Sequence, residues 1–466
     1  MSNNFVQNVV LLNPALSESS PMHTRETRLH LGLAYLASVL EKEGIRVSVI
    51  DNHLLKKSHS ALINDVKNMR PNIIGITCTS MVYAECIRMA KSLKQNLPQS
   101  KLVVGGPHPT LMPESMLEHK EIDFAVIGEG EYTFRDLVLK LLNNEKVDDI
   151  KGLMYKENNR AIFTGPRPFI KNLDEIPFPA RHLFPMKLYP KFSRYLDVEP
   201  VEIVSTSRGC PYNCTFCTIR SLWGSGYRSF SPKRIADEIE HLVKDYGIKG
   251  IDFREDNFTA NKNRVVEICR EIKSRGLDIK WVCASRVDLI SRELLKIMRD
   301  AGCRTIWYGV ESGSEKTLRA IKKNITLQQT KECFKLCKEE GIKVAASFMI
   351  GIPGETIKEM EKTSNFAREL EPDWVGFAIF LAIPKSELYN TILAEKKYSL
   401  IDENHIAYVK TENFDYQTMR KVRKLFLQRF YLRRGRIMQT IERRWRELPE
   451  LINEGFQQII LGKNRI

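Results

Sequence analysis

The stretch Ser207-Arg-Gly-Cys210-Pro-Tyr-Asn-Cys214-Thr-Phe-Cys217 places three cysteines in a C-x3-C-x2-C pattern. Cysteine binds metals as the thiolate, and thiolates are the usual ligands of iron–sulfur clusters. Three thiolates leave one iron of a [4Fe–4S] cluster without a protein ligand, so a small molecule can chelate it. A zinc site needs four closed ligands, usually with a second Cys or His pair, and none lies close by in sequence. The pattern therefore predicts a cluster with an open iron, rather than zinc or unligated thiols.

Length and composition bound the class of protein. A chain of 466 residues with 43% hydrophobic residues is expected to fold as two or three globular domains. It has no apolar run long enough to span a bilayer, and its start lacks the regions of a signal peptide, so we expect a cytoplasmic protein. The net charge of +15 admits anionic partners without choosing among them. The cysteines outside the triplet are expected to be buried small side chains: Cys78, Cys86, Cys269, Cys283, Cys303, Cys333 and Cys337.

Residues 1–145 are predicted to form an α/β domain. Apolar runs rich in β-branched residues alternate with segments of helical periodicity. Continuous apolar strands separated by helices indicate a parallel sheet covered on both faces, as in Rossmann-like domains. The predicted strands are Val6–Asn13, Arg46–Asp51, Ile73–Thr79, Lys101–Gly105 and Phe124–Ile127.

Small polar loops follow three of these strands. Ligands of such sheets bind beyond the carboxyl ends of the strands, and glycine lets a backbone approach a bulky ligand closely. The same loops would also suit the plain strand-to-helix turns of a Rossmann-like domain. The candidate ligand-binding residues are Thr77, Thr79, Ser80, Gly105, Gly106, His108, Gly128 and Glu129.

Residues 146–200 are predicted to be a hairpin followed by a linker. Gly152–Tyr155 and Ala161–Phe163 flank a polar turn and favour two short strands. Prolines are dense from Pro166 to Pro190, which is typical of a linker with little regular structure. Aromatic and aliphatic residues between the prolines indicate that the linker packs between domains.

Residues 201–395 repeat a strand-then-helix pattern six times. The strands are predicted near Glu202–Thr206, Gly250–Phe253, Lys280–Ala284, Thr305–Val310, Val344–Ile350 and Trp374–Leu381. Six such units suggest a partial barrel of the TIM type, a (β/α)6 barrel, with ligand groups at the carboxyl ends of its strands. Polar or glycine-rich loops follow the second to fifth strands, as such a site requires.

The cysteine triplet, with Phe216 before its last cysteine, resembles that of the radical S-adenosylmethionine (SAM) superfamily. The resemblance implies a [4Fe–4S] cluster held by Cys210, Cys214 and Cys217, with SAM on the open iron. Reduction by an electron donor such as flavodoxin or ferredoxin would then cleave SAM to a 5′-deoxyadenosyl radical.

The same resemblance assigns roles to residues at the barrel's carboxyl end. A zwitterionic ligand needs acceptors for its ammonium and a cation for its carboxylate. Charges at strand ends that only cap helices are the alternative for any single residue. The implied SAM-binding residues are Glu255 and Asp256 for the amino group, Arg286 and Ser312 for the carboxylate or ribose with Glu311 nearby, and Ile352, Gly354, Tyr212 and Phe216 around adenine.

Three segments of the first domain resemble cobalamin-dependent radical SAM proteins. They are Leu31–Ala37, Val104–Thr110 and Val126–Glu131, in that order before the cysteine triplet. The resemblance covers nearly all of residues 5–145 and implies that the candidate loops cradle cobalamin, with the loop after Ile73–Thr77 beneath the corrin ring.

One histidine begins a known cobalt-binding pattern without completing it. Some cobalamin folds supply a histidine from a D-x-H-x-x-G loop after the first strand. Here Asp51-Asn-His53 follows the second strand, and Lys56 stands where the glycine would be. We therefore expect His53 to be a surface residue and not a cobalt ligand.

Residues 396–466 form a basic segment with helical periodicity. Apolar residues recur at helical spacing over Met419–Leu432, and Ile437–Trp445 continues the pattern after a glycine. The segment could cover the substrate or lie on a membrane surface. A helix pair packed on the barrel, with a solvated basic face, is the favoured interpretation.

Together these resemblances imply a cobalamin-dependent radical SAM methyltransferase. One SAM would methylate cobalamin, and a second would yield the radical that removes hydrogen from an unactivated carbon, which then takes the methyl group. The loop Ala382–Tyr389 lacks the glycine of the family's Pro-x-Pro-Gly-Thr-like turn beside the substrate, so no relative's substrate can be assumed. We expect a small-molecule or lipid-like substrate, no nucleic-acid partner and peripheral membrane contact at most.

Three other functions are weighed against methyl transfer. Some relatives use the same cofactors for ring closure or rearrangement, which sequence cannot separate from methylation. A tRNA-modifying methylthiotransferase would carry three further N-terminal cysteines, whereas only Cys78 and Cys86 precede residue 200. A cobalamin-binding sensor without catalysis would not need the open iron that the cysteine triplet predicts.

Overall fold

Strands and helices alternate along most of the chain in the computed structural model. The structure describes residues 8–15, 27–158, 160–395, 399–402, 405–410 and 414–433. Within these ranges the chain forms two large sheets, two small sheets and the helices that cover them.

The N-terminal sheet has seven strands in the order β2-β1-β3-β4-β5-β6-β7. The first five are parallel to their neighbours, and the last two are antiparallel. The strands are β1 (Asn8–Asn13), β2 (Arg46–Asp51), β3 (Ile73–Thr77), β4 (Lys101–Gly105), β5 (Phe124–Val126), β6 (Leu153–Glu157) and β7 (Arg160–Phe163). The helices are α1 (Leu31–Lys42), α2 (Asn52–Leu55), α3 (His59–Met69), α4 (Tyr83–Asn96), α5 (Pro107–Leu111), α6 (Pro113–Leu117) and α7 (Gly130–Leu142).

Strand β1 explains why this sheet is covered on both faces. Its side chains alternate, so that Val10 and Leu12 belong to the core under α3 and α4, whereas Val9 and Leu11 belong to the core under α1 and α7. All four are at most 1% exposed. A strand buried on both faces must be apolar at every position, which is why the sequence shows a continuous run instead of alternation.

The sequence pattern places the hairpin β6–β7 with the linker, but in the structure the hairpin extends the N-terminal sheet. β6 pairs antiparallel with β5, which places Tyr155 opposite Phe124 with ring centroids 6.0 Å apart. Without it β5 would be the edge strand of the sheet, with backbone donors and acceptors left open on the side away from β4. The linker after it contains only short 3-10 turns, at Leu173–Glu175 and Arg181–Leu183, in its described residues.

The linker packs into the cores of both large sheets. Leu173 and Ile176 are buried with the second domain, whereas Ala180 and Phe184 are buried with the first. The linker therefore fixes the two sheets relative to each other through burial of apolar side chains.

The second large sheet has six parallel strands in the order β15-β14-β13-β12-β11-β8, which confirms the predicted open (β/α)6 arrangement. The strands in this part of the chain are β8 (Val201–Val204), β9 (Ser207–Arg208), β10 (Arg228–Ser229), β11 (Gly250–Phe253), β12 (Lys280–Ser285), β13 (Cys303–Glu311), β14 (Lys343–Ile350) and β15 (Trp374–Ile379). The helices are α8 (Ile219–Trp223), α9 (Pro232–Tyr246), α10 (Lys262–Ser274), α11 (Arg292–Asp300), α12 (Glu315–Ala320), α13 (Leu327–Glu339) and α14 (Ile357–Leu370). β9 and β10 form a separate antiparallel pair beside the cysteine loop.

The last elements in the described part of the chain are a small sheet and a helix that pack on the second domain. The elements are β16 (Leu381–Ala382), α15 (Glu387–Glu395), β17 (Ser399–Ile401), β18 (Ala407–Val409) and α16 (Tyr416–Tyr431). α16 buries Met419, Phe426 and Phe430 in the core, and the hydroxyl of Tyr431 donates to the carbonyl of Val375 at 3.0 Å. This agrees with the packed-helix interpretation, while Ile437–Trp445 lies outside the described residues. In the part of the chain that the structure describes, no helix is both long and apolar enough to cross a membrane.

Candidate active site

The three cysteines of the triplet are the most accessible thiols of the chain. Cys210, Cys214 and Cys217 are half-buried in the loop between β9 and α8, while the other seven cysteines are buried. The loop is tightly wound, because the backbone N–H of Cys217 donates to the carbonyl of Cys214 at 3.1 Å. Gly209, just before the loop, has φ of +85°, which favours glycine.

The donor set of this loop fits an iron–sulfur cluster. Among the described residues, no three metal-binding side chains already converge as a finished site. The triplet thiols nevertheless lie within electrostatic range of one another, and burial raises the pKa of each, that of Cys217 to about 11. A bound metal would deprotonate these half-buried thiols and stabilise the thiolate charge. Three soft ligands on one loop are the donor set that a cluster with an open iron requires.

Two cations stand beside Cys214. The guanidinium of Arg286 lies 4.0 Å from the Sγ of Cys214. It donates two hydrogen bonds to the carboxylate of Asp288, at 3.0 and 3.1 Å, and stacks 3.7 Å from the centre of the Tyr212 ring. Lys323 is 7% exposed, and its carbonyl accepts from Arg286 at 2.7 Å. Lys323 was not singled out from the sequence, where it is one lysine in a loop between helices and carries no signal.

The neighbouring carboxylates Glu255 and Asp256 differ in how fully they are satisfied. Both oxygens of Glu255 accept hydrogen bonds, one from Thr206 Oγ1 at 2.5 Å and the other from the hydroxyl of Ser207. Asp256 accepts from the backbone N–H of Gly209 at 3.2 Å, and burial raises its pKa to about 6. Glu255 therefore braces the strand before the cysteine loop, and Asp256 is the better placed of the two to accept an ammonium group.

The residues after β13 are engaged within the protein. Glu311 has φ of +69° and accepts from Lys323 Nζ at 2.8 Å. Ser312 is fully buried, with its hydroxyl 3.1 Å from Thr363 Oγ1 and 3.1 Å from the backbone nitrogen of Ser314. Ser312 thus holds the turn that leads to α12, and its contact with a ligand stays a prediction.

The loop after β14 is shaped by Glu355. One carboxyl oxygen accepts from the backbone N–H groups of Gly351 and Ile352 at 2.9 and 3.2 Å. Ile352 is 1% exposed, whereas a side chain at Gly354 would meet open space. An edge of this loop is therefore open, and its contact with adenine stays a prediction. Phe216 is half-buried and packs against the core of the second domain.

A cavity of about 280 Å³ opens at the carboxyl ends of the N-terminal strands. Six of the eight candidate loop residues line it: Thr77, Thr79, Gly105, Gly106, Gly128 and Glu129. Its floor is apolar and includes Leu11, Val103 and Phe134. At Gly106, φ is +108° and a Cβ would lie 3.0 Å from the carbonyl oxygen of Cys78, so the lining backbone can come this close only with glycine.

Ser80 and His108 are not among the cavity-lining residues. His108 is fully buried, with Nδ1 2.8 Å from Ser80 Oγ and Nε2 3.2 Å from Ser115 Oγ. Burial lowers its pKa to about 4, and the nearby His405 adds to this shift. The pair stabilises the loop from behind, so neither side chain contacts the space in which a ligand would bind.

His30, which sequence reasoning missed, does line the cavity. Its Nδ1 accepts from the backbone N–H of Leu33 at 3.1 Å, capping α1, and its Nε2 lies 3.4 Å from Thr77 Oγ1. Its position one residue before the Leu31–Ala37 segment was the only available signal. His53 is half-buried and does not line the cavity.

The cavity and the cysteine loop meet at α8. Leu222 and Trp223, at the end of the helix that follows Cys217, complete the cavity wall. On the other side of this contact, Arg208 binds Glu129 and Glu131 at 2.7 and 2.6 Å. A cofactor in the cavity would therefore lie against the helix that follows the triplet.

Comparisons with known proteins agree with this geometry. Residues 204–367 match the radical SAM superfamily, and residues 24–138 match the B12 binding domain. The chain is 37% identical over 438 residues to an uncharacterised methyltransferase of Pyrococcus horikoshii, covering 92% of this chain and 93% of that protein. It is 29% identical to the anaerobic magnesium-protoporphyrin IX monomethyl ester cyclase of Rubrivivax gelatinosus, covering 77% and 65%. The structure of the radical SAM methyltransferase TsrM from Kitasatospora setae, with cobalamin and a [4Fe–4S] cluster bound, has a TM-score of 0.68 and 19% identity, covering 84% and 75%.

These matches confirm the predicted family, the α/β architecture and the cofactors, which are a [4Fe–4S] cluster, SAM and cobalamin. The B12-binding match contains the loops that line the cavity, and the radical SAM match contains the cysteine triplet and the loops after β11 to β14. The chain belongs to the cobalamin-binding radical SAM enzymes.

Proposed function

We propose that this enzyme transfers a methyl group to an unactivated carbon of a small-molecule or lipid-like substrate. The two cofactors supply a hydrogen-abstracting radical and a methyl donor. One observation carries the proposal: the helix that follows Cys217 forms part of the cavity wall through Leu222 and Trp223. Both cofactors would thus act on the same space, as methyl transfer to a substrate radical requires. The relative from Pyrococcus horikoshii, named as a methyltransferase, adds support.

The proposed residue roles follow from the contacts at each loop. Cys210, Cys214 and Cys217 would hold the cluster. Asp256, which accepts a hydrogen bond from the backbone N–H of Gly209 at 3.2 Å, would accept another from the ammonium group of SAM. Arg286 is fixed by Asp288 and Tyr212, so it would orient the SAM carboxylate without having to reorganise.

The cavity loops have complementary roles. Thr77, Gly105, Gly106 and Gly128 would support cobalamin through backbone and hydroxyl groups, because no bulky side chain separates that backbone from the cavity. His30 would donate a hydrogen bond from Nε2, since its Nδ1 already accepts from Leu33. The residues near the triplet would also exclude water: the loop 382–389 packs on them, with Leu388 N–H donating to the carbonyl of Thr215 at 3.0 Å.

Deuteromethyl-SAM tests the reaction type once a substrate is found by comparing metabolites of strains with and without the gene. Methyl transfer predicts a product heavier by the labelled methyl group, with S-adenosylhomocysteine and 5′-deoxyadenosine formed alongside it. An unlabelled product without S-adenosylhomocysteine would contradict methyl transfer.

The second candidate is ring closure or rearrangement with the same cofactors. It is favoured by the 29% identity to a cyclase over 77% of this chain. The unlabelled outcome of the same experiment supports it. The two candidates share the cluster, SAM and cobalamin, so the test separates the reaction without disturbing the family assignment.

We also propose that the cluster receives its electron from an acidic carrier such as flavodoxin or ferredoxin. The net charge of +15 would attract such a carrier and raise the rate of encounter. Reduction measured anaerobically with flavodoxin should slow as salt is increased. A rate independent of salt would contradict the charge-based proposal.

A further inference from the structure

Arg208, Arg228, Glu129 and Glu131 form a charged cluster between the two domains, in which Arg228 is half-buried and the other three are buried. Arg208 donates to Glu129 Oε1 at 2.7 Å and to Glu131 Oε1 at 2.6 Å. Arg228 donates to the same oxygen of Glu129 at 2.8 Å. The second oxygen of Glu129 accepts from the backbone N–H of Ile170 at 2.6 Å, so the linker is tied to the cluster as well.

The charged cluster connects the wall of the cavity to the start of the cysteine loop. Glu129 and Glu131 line the cavity; Glu129 ends the loop between β5 and α7, and Glu131 is in the first turn of α7. Arg208 is on β9, two residues before Cys210, and Arg228 is on the paired strand β10. The Arg208 guanidinium also lies 5.4 Å from the ring centre of Trp223, which lines the cavity from the other domain. A movement of the cavity loop therefore displaces the residue that leads into the cysteine loop.

Because the ion pairs of the charged cluster are buried, they fix the relative position of the residues that they join. The side chains of Glu129, Glu131 and Arg208 are 3%, 9% and 9% exposed. Buried charges must keep their partners, because an unpaired one is strongly disfavoured in a medium of low polarity. The forked guanidinium binds both carboxylates at fixed angles, which a single ammonium cannot do. The two loops are thus held in one relative position.

We propose that Arg208 is a positioning residue that couples cobalamin binding to the cysteine loop, which holds the iron–sulfur cluster. With cobalamin in the cavity, Glu129 and the first turn of α7 that carries Glu131 would be fixed, and Arg208 would transmit that order to Gly209 and the triplet. Because coupling is reciprocal, a bound iron–sulfur cluster must tighten cobalamin binding by the same factor by which cobalamin tightens binding of the iron–sulfur cluster. This inference rests on the two cofactors and is independent of the reaction proposed above.

The experiment measures the cobalamin dissociation constant with and without the cluster. Hydroxocobalamin is titrated anaerobically into cluster-loaded and cluster-free protein, and binding is followed by absorbance and by quenching of tryptophan fluorescence. The wild type is expected to bind cobalamin about fivefold or more tightly when the cluster is present. R208Q should bind with the same constant in both states, although no residue lining the cavity is changed.

A second group of charged side chains, which is also largely buried, offers a matched control. Glu238 binds Arg181 at 2.8 Å and Arg234 at 3.1 Å, and its side chain is 3% exposed, but this cluster does not touch the cavity loop. R181Q therefore removes a comparable buried arginine and should keep the wild-type ratio of constants. Thermal unfolding checks that the variants are folded, and R208K, which keeps the charge but loses the fork, replaces R208Q if that variant does not fold.

The ratio of the two constants decides the proposal. A ratio near one in R208Q or R208K, with the wild-type ratio in R181Q, supports coupling through Arg208. The proposal is overturned if R208Q or R208K keeps the wild-type ratio, if R181Q loses it equally, or if the wild type has a ratio of one. Methyl transfer could fail its own test without changing any of these constants.

Discussion

Gly209 lies against Gly226 so closely that a Cβ on Gly209 would be 2.3 Å from the carbonyl oxygen of Gly226. This contact is at the start of the cysteine loop, where β9 and β10 pair. The short distance and the φ of +85° both exclude a side chain, so the direction in which the chain enters the loop depends on this glycine.

We expect G209A to lose the iron–sulfur cluster while the rest of the protein remains folded. The new methyl group would force β9 away from β10 and move the triplet, at a cost on the order of a few kcal/mol in local stability. Iron content and the charge-transfer absorbance after anaerobic reconstitution measure the effect.

Gly226 provides the control for this substitution. A Cβ there would meet no atom within 4 Å, and its φ is not positive, so G226A should reconstitute as the wild type does. Equal cluster content in both variants would show that the contact with Gly226 is not needed.

Removal of any thiol of the triplet should abolish both the cluster and SAM cleavage. Three thiolates hold three of the four irons and leave one open, and the remaining cysteines are buried elsewhere in the fold, so none can replace a lost ligand. C210A, C214A, C217A and the triple variant are compared for 5′-deoxyadenosine formation under reducing conditions. C269A, which changes a buried thiol of the same domain, should retain both properties. Formation of 5′-deoxyadenosine by the triple variant would refute the assignment of the triplet.

The fold was predictable because its strands carry their own signal. Apolar runs such as Val9–Leu12 of β1 and Ile73–Ile76 of β3 can be buried only in a sheet covered on both faces, and the helices between successive strands indicate a parallel topology. The strands of the hairpin β6–β7 were predictable, but the pairing of β6 with β5 was not. That pairing depends on which edge of the folded sheet would otherwise remain open.

The candidate site was predictable by loop but not by side chain. Strand ends converge whatever their side chains do, so Thr77, Gly106 and Gly128 share one cavity as expected. Whether a polar group faces that cavity depends on tertiary partners. Ser115 and Ser80 engage His108, and two arginines engage Glu129. Such partners are distant in sequence and leave no local pattern.

Glu355 should make the stability of the ligand-free protein depend on pH. Burial raises the pKa of its carboxyl to about 8 in spite of the N–H groups of Gly351 and Ile352, and its Oε1 is buried without a hydrogen-bond partner in the described structure. Between the unfolded value of 4.5 and about 8 the native state binds the extra proton, so stability falls as pH rises through this window. The largest slope for one proton is about 1.4 kcal/mol per pH unit.

E355Q should therefore gain stability relative to the wild type as pH rises from 5 to 8, measured by urea unfolding. Glu359 supplies a control of opposite sign. Burial would raise the pKa of its carboxyl, but the N–H of Thr356 and the ammonium of Lys316 outweigh this and lower it. Its contribution is present above its unfolded pKa and lost in acid, so E359Q should show no relative gain at high pH. Parallel pH profiles for wild type and E355Q would contradict the role given to Glu355.

His30 should bind cobalamin as a hydrogen-bond donor and leave cobalt without a histidine nitrogen. Burial lowers the pKa of its imidazole, and Nδ1 accepts from the N–H of Leu33, so the neutral ring carries its proton on Nε2 beside Thr77. A protonated ring nitrogen has no lone pair for a metal. H30N keeps a good helix cap but lacks the Nε2 donor, and it should weaken cobalamin binding by about tenfold, the value of one hydrogen bond of about 1.4 kcal/mol. The EPR spectrum of bound cobalt(II) should contain no nitrogen superhyperfine splitting in the wild type. Splitting that disappears in H30N, or in H53A, would identify that histidine as an axial ligand and overturn this prediction.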